Sequence, residues 1–151
     1  MNKIWNYIKN WFIEMGSPPL FFKWSSKILP WLLFISITVF VVGLLWGLFF
    51  SPTDYKQGDV YRIIYIHVPS AILGQSIFMF MAICGFITMV WRVKISGMLL
   101  KSAAPIGASF TLIALLTGSI WGKPTWGTWW VWDARLTSTL ILFFIYAAII
   151  G

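Results

Sequence analysis

A chain of 151 residues that is 60% hydrophobic and 10% charged, with a mean hydropathy of +0.85, lacks the polar surface of a water-soluble domain, which carries roughly 25% charged residues. That deficit points to a polytopic membrane protein. The net charge of +7 comes from basic residues scattered among apolar runs, so it argues for membrane topology and against nucleic acid as a partner.

The first 29 residues are expected to form a cytoplasmic interfacial segment. Trp5, Ile8, Phe12 and Met15 recur at helical spacing, while Lys3, Lys9 and Glu14 supply polarity. Such a helix lies on a membrane surface, and "GSPP" at Gly16 to Pro19 ends it. The apolar run that follows is too long for a signal-peptide core and has no A-x-A-like cleavage site, so it reads as a retained first span.

Residues 30–151 then form one transmembrane domain. An uncharged run of about 20 residues crosses the hydrocarbon core as a helix, and four such runs are visible, at about 30–50, 63–91, 102–122 and 136–151. The predicted fold class is an all-α integral membrane protein, a polytopic helix bundle. Its fourth span holds only fifteen apolar residues before Gly151 and is expected to be cut short. Lys3, Lys9, Lys23, Lys27, Arg92, Lys94 and Lys101 flank one side and Lys56, Arg62, Lys123 and Arg135 the other. By the positive-inside rule the N-terminus is cytoplasmic, and the connections 51–62 and 121–135 face outward, into the periplasm of a bacterial inner membrane.

Packing faces are also legible. Gly43 and Gly47 form a G-x-x-x-G, and Gly107, Thr111, Ala114 and Gly118 line one face of the third span. Small residues let helices approach closely in lipid. Cys84, the single cysteine, sits in an apolar run and reads as a small hydrophobe. It has no partner for a disulfide and no C-x-x-C-H context.

In the second span, His67 is the only histidine, and it shares a helical face with Ser70, Ala71 and Gly74. Ionisable groups at membrane depth are costly and tend to have a role. Two readings stand: a histidine hydrogen-bonded to a neighbouring helix, or a metal ligand. One histidine makes no zinc or copper cage, whereas haem needs only an axial ligand.

The outer connection "WGTWWVWDAR" is the densest aromatic stretch. Five of the 11 tryptophans fall between Trp121 and Trp132, more than an interfacial belt requires. With Pro124 in the first turn of a short helix, Trp126, Trp129, Trp130 and Asp133 would share one face. In an extended strand Trp130 and Trp132 would share it instead. Either arrangement suits a large, flat, apolar ligand. Asp133 is placed to cap the fourth span. Arg135 and Lys123 either snorkel to headgroups or receive ligand carboxylates. No Walker A loop, nucleophile elbow or H-E-x-x-H is present, so the chain does not read as an enzyme.

"WGTWWVWDARLTS" resembles the tryptophan-rich WWD signature of the haem-handling membrane proteins of cytochrome c maturation. Together with "YRIIYIHVPSA" and "APIGASFTLIALLTGSIWGKP" it is similar to the haem exporter protein C (CcmC) family. That resemblance implies a non-enzymatic protein that holds haem b transiently at the periplasmic face and presents it to the haem chaperone CcmE. It implies CcmA and CcmB, the ABC-type subunits, and CcmD as partners in the membrane.

By the same resemblance Trp126, Trp129, Trp130, Trp132 and Asp133, with Trp121 beside them, are the haem-contacting set. His67 is the axial ligand. Apart from the resemblance, Arg62, Lys123 or Arg135 are expected to meet the propionates of such a haem. Members of that family have six spans and a second external histidine, so this chain carries half of the axial pair, the rest coming from another chain or a longer product. The alternatives are a fragment of a larger haem lyase (a cytochrome c synthase) and an assembly subunit that does not bind haem.

Overall fold

The computed structural model describes residues 3–6 and 16–151. Residues 3–6 are helical; the expected interfacial face at Ile8, Lys9, Phe12, Glu14 and Met15 lies outside the described residues. All regular structure among the described residues is helical. The elements are α1 (Pro18–Leu45), α2 (Ile64–Trp91), α3 (Lys94–Trp126) and α4 (Ala134–Ile150). A π-helical turn, Trp46–Phe50, extends α1, and a 3-10 turn, Asp59–Ile63, leads into α2.

Three helical stretches of 33 residues, Pro18–Phe50, Asp59–Trp91 and Lys94–Trp126, are long and apolar enough to cross a membrane, and Ala134–Ile150 is a shorter apolar helix. The bundle is therefore that of a polytopic membrane protein. At 1.5 Å per residue such stretches run about 50 Å, beyond the roughly 30 Å hydrocarbon core. This explains two departures from the expected boundaries. The first helix starts at Pro18, with Pro30 inside it, and the third runs past both Lys101 and Lys123. Charges limit the lipid-embedded portion, not the helix, because lysine is a good helix former.

The α2–α3 connection is tight. Arg92 takes the left-handed conformation (φ 55°) that ends a helix, its N–H bonding the Thr88 carbonyl at 3.0 Å. The two helices then run antiparallel at close range. Gly97 faces Thr88 near the turn, Gly74 faces Thr111 midway, and Gly118 faces His67 at the far end. A Cβ on Gly74 would lie 2.7 Å from the Thr111 hydroxyl oxygen, so the approach needs glycine there. The small face expected on the third span is buried at all four positions, Gly107, Thr111, Ala114 and Gly118. Of the G-x-x-x-G pair only Gly47 is used: it lies against the Tyr65 ring, while nothing is within 4 Å of where a Gly43 side chain would sit.

α4 closes the bundle through Tyr146, which is fully buried with Met81 and Ala104. Its ring lies over Gly107 of α3 and meets Phe78 of α2 edge to face at 5.7 Å. Its hydroxyl donates to the Gly74 carbonyl at 2.7 Å. Lipid offers little hydrophobic drive for helix association, so dispersion at these close contacts holds the bundle. α1 buries no residue. It joins the rest just beyond its C-terminal end, where Ser51 and Tyr65 share a 2.6 Å hydroxyl contact. There Arg62 donates to the carbonyls of Leu48 and Ser51, each at 3.0 Å.

Candidate functional site

The N-terminal ends of α2 and α4 and the C-terminal end of α3 line a cavity of about 390 Å³, within the range of small-molecule sites. α2 contributes His67, Ala71 and Gln75, α3 contributes Ala114, Leu115, Gly118, Trp121, Thr125 and Trp126, and α4 contributes Arg135, Leu136 and Thr139. The connection 51–62 reaches over the top: Gln57 lines the cavity and accepts a 2.8 Å hydrogen bond from the Trp121 indole N–H. Gln57 is placed by the turn before it, in which the Asp54 carboxylate accepts from the backbone N–H groups of Lys56 and Gln57 at 2.9 and 2.8 Å. The two connections expected on one face of the membrane thus meet.

His67 is half-buried on the cavity wall. Its Nδ1 lies 3.1 Å from the Thr117 hydroxyl of α3, and its ring meets Trp121 edge to face at 5.7 Å. The Ala114 carbonyl, 3.3 Å from that hydroxyl, is a further acceptor beside the ring. A Cβ on Gly118 would sit 3.0 Å from His67 Cε1, so α3 is flat where the imidazole rests. The histidine is hydrogen-bonded to its neighbouring helix, the first of the two readings, and it also lines the cavity.

The tryptophan segment is not the expected helical face and comes nearer the extended alternative. α3 continues through Pro124 to Trp126 and stops at Gly127, whose left-handed φ of 79° suits glycine. Residues 128–133 are not helical. Trp126, Trp129 and Trp130 therefore share no helical face. Trp130 and Trp132 pair as an extended segment allows, but edge to face, at 5.5 Å and 74°. The indoles do not tile one flat plate. Trp121 and Trp126 belong to the cavity, whereas Trp129 sits under the Lys123 ammonium at 6.0 Å and Trp132 is 77% exposed. The Trp130 indole N–H is buried without a hydrogen-bond partner.

Asp133 caps α4, its carboxylate accepting from the Leu136 N–H at 2.7 Å. That bond, aided by Arg135, holds the carboxyl below the ordinary carboxylate range. Arg135 donates to Asp133 at 3.1 Å and lies 5.4 Å over the Trp126 ring while lining the cavity. Arg62 is not brought there. Its guanidinium is engaged with the Leu48 and Ser51 carbonyls and with Asp59 at 3.4 Å. Lys123 donates to the Gly127 carbonyl at 3.1 Å, closing the end of α3.

Sequence reasoning missed Gln57, Gln75, Thr117 and Thr139. Gln75 carried a signal, since it follows His67 and Ala71 at two steps of four. The others had none. Gln57 and Thr139 meet the cavity, and Thr117 meets His67, only because separate elements converge.

The chain is similar to known proteins along almost its whole length. Residues 11–151 match the family model CcmC, described as Heme exporter protein C. Curated proteins of that printed name include one from Escherichia coli (strain K12), 51% identical over 138 residues, covering 91% of this chain and 56% of that protein. Another, from Haemophilus influenzae, is 45% identical, covering 93% and 57%. A third, from Paracoccus denitrificans, is 48% identical, covering 88% and 55%. The chain spans little more than half the length of the curated relatives it matches.

Proposed function

The chain belongs to the CcmC family, Heme exporter protein C, and from this membership we propose that it handles haem for cytochrome c maturation, binding haem b non-covalently and presenting it for transfer. The acceptor is the periplasmic chaperone CcmE, and CcmA, CcmB and CcmD are the partners in a bacterial inner membrane. The N-terminus lies in the cytoplasm, and the tryptophan connection faces the periplasm. The chain forms no covalent bond to its cargo and acts as a carrier component, not an enzyme.

The observation that carries this reading is a single imidazole on the wall of an indole-lined cavity with a guanidinium at its rim. A porphyrin supplies four nitrogens to its iron, so one histidine completes a useful site. Trp121 and Trp126 supply flat apolar area, and Arg135 is free to rotate from Asp133 toward a carboxylate. Arg135 is a better propionate partner than Arg62, which does not line the cavity and whose two terminal nitrogens are engaged with the Leu48 and Ser51 carbonyls. Trp129, Trp130, Trp132 and Asp133 form the outer edge over which the cargo is handed on. A shallow, outward site suits release, because an acceptor protein must compete for the same iron.

The chain purified with haem should show a Soret band that falls sharply on His67→Ala and on joint replacement of Trp121 and Trp126 by leucine. Unchanged haem content in both variants overturns the assignment.

A further inference from the structure

His67 meets α3 through one hydroxyl whose own bonding is constrained. Thr117 Oγ1 lies 2.6 Å from the Ile113 carbonyl, 3.3 Å from the Ala114 carbonyl and 3.1 Å from His67 Nδ1. A hydroxyl has one hydrogen to donate, and carbonyl oxygens can only accept. The short contact to Ile113 takes that hydrogen, so toward the ring Oγ1 offers a lone pair. The hydrogen between Oγ1 and Nδ1 then belongs to Nδ1, and Nε2 of the neutral ring carries the lone pair.

We propose that Thr117 is a positioning residue for iron: by accepting from His67 Nδ1–H it fixes the tautomer whose Nε2 ligates, and it raises the basicity of that nitrogen. This rests on the haem-binding role given to His67. Ring direction has other determinants, the flat surface at Gly118 and the edge of Trp121. The Ala114 carbonyl beside the ring favours the same tautomer, and Thr117 is the side chain that accepts from Nδ1–H. Partners of this kind on a metal-bound histidine are typically worth 10–100-fold in affinity.

The test uses the full chain in detergent, titrated with haem. Thr117→Val keeps the shape and removes the acceptor. It should weaken haem binding by about 10–100-fold and lower the iron–histidine stretching frequency of the ferrous form in resonance Raman spectra. Thr117→Ser should restore both. A second measurement does not depend on Thr117→Val folding: in His67→Gly, added imidazole should rescue haem binding better than 1-methylimidazole, which has no N–H to give Thr117.

Wild-type affinity and frequency in Thr117→Val, or equal rescue by the two imidazoles, overturns the role of Thr117 while His67 remains the ligand. Full haem binding by His67→Ala instead overturns the underlying site assignment.

Discussion

The Tyr146 hydroxyl donates a 2.7 Å hydrogen bond to the Gly74 carbonyl, 72 residues away in the chain. The same ring covers Gly107, so one side chain from α4 touches both helices of the α2–α3 hairpin. α4 also carries Arg135 and Leu136 to the cavity. The position of the cavity's third wall therefore depends on an anchor about three helical turns from it.

Removing the hydroxyl alone, in Tyr146→Phe, should cost about 1 kcal/mol of bundle stability. Tyr146→Ala, which empties a fully buried position, should cost roughly 3–5 kcal/mol. Unfolding in mixed detergent measures both. Equal stability of the wild type and the alanine variant would show that α4 is not anchored there.

Gly118→Ala should disturb the imidazole rather than the fold. The added methyl would stand 3.0 Å from His67 Cε1, so the ring must tilt or withdraw. Haem affinity is expected to fall on the order of 10-fold, as for other changes beside a metal ligand, with the circular dichroism spectrum unchanged. An unaltered haem titration would count against the placement of His67 on this surface.

Arg135→Gln should weaken binding of haem by about 10-fold, the scale of a charge-assisted hydrogen bond. The comparison that isolates the propionates is haem dimethyl ester, which has no carboxylates. Wild type should prefer haem over the ester, and Arg135→Gln should bind both alike. A preference that survives the substitution would move the propionate contact to another residue.

Asp133 gives a pH signature. Its carboxyl is held below the ordinary range, first by the Leu136 N–H and then by Arg135, so the ionised form is favoured in the folded state. Its contribution is complete above the ordinary carboxylate value of about 3.9 and is lost as pH falls through the lowered folded value. Asp133→Asn keeps an oxygen for the cap but cannot titrate. The stability difference between wild type and Asp133→Asn should therefore shrink on acidification. A difference that is constant with pH would rule the mechanism out.

Much of the architecture was legible because lipid imposes it. A spanning segment must satisfy its own backbone hydrogen bonds and present apolar side chains, so α2 and α4 fall within two residues of the expected starts. The small face of α3 was legible for the same reason, since close approach in lipid selects Gly, Ala and Thr at one-turn spacing. The capping role of Asp133 follows from a local rule and is met in the structure. The start of α1 and both ends of α3 were not legible, because hydropathy marks the membrane and not the helix.

The amino-acid order alone determined a polytopic helical bundle, its packing face, one histidine near a span end and a cluster of indoles beside it. Each of these is a property of composition or of helical period. Only the tertiary structure decided which indoles join the histidine, that Gln57 and Arg135 reach the same cavity and that Arg62 does not. It also decided that Thr117 is the hydroxyl meeting Nδ1. Those pairings join separate helices and loops across 50 or more residues, and distances of that kind follow from how closely glycine faces let the helices pack, which no local pattern specifies.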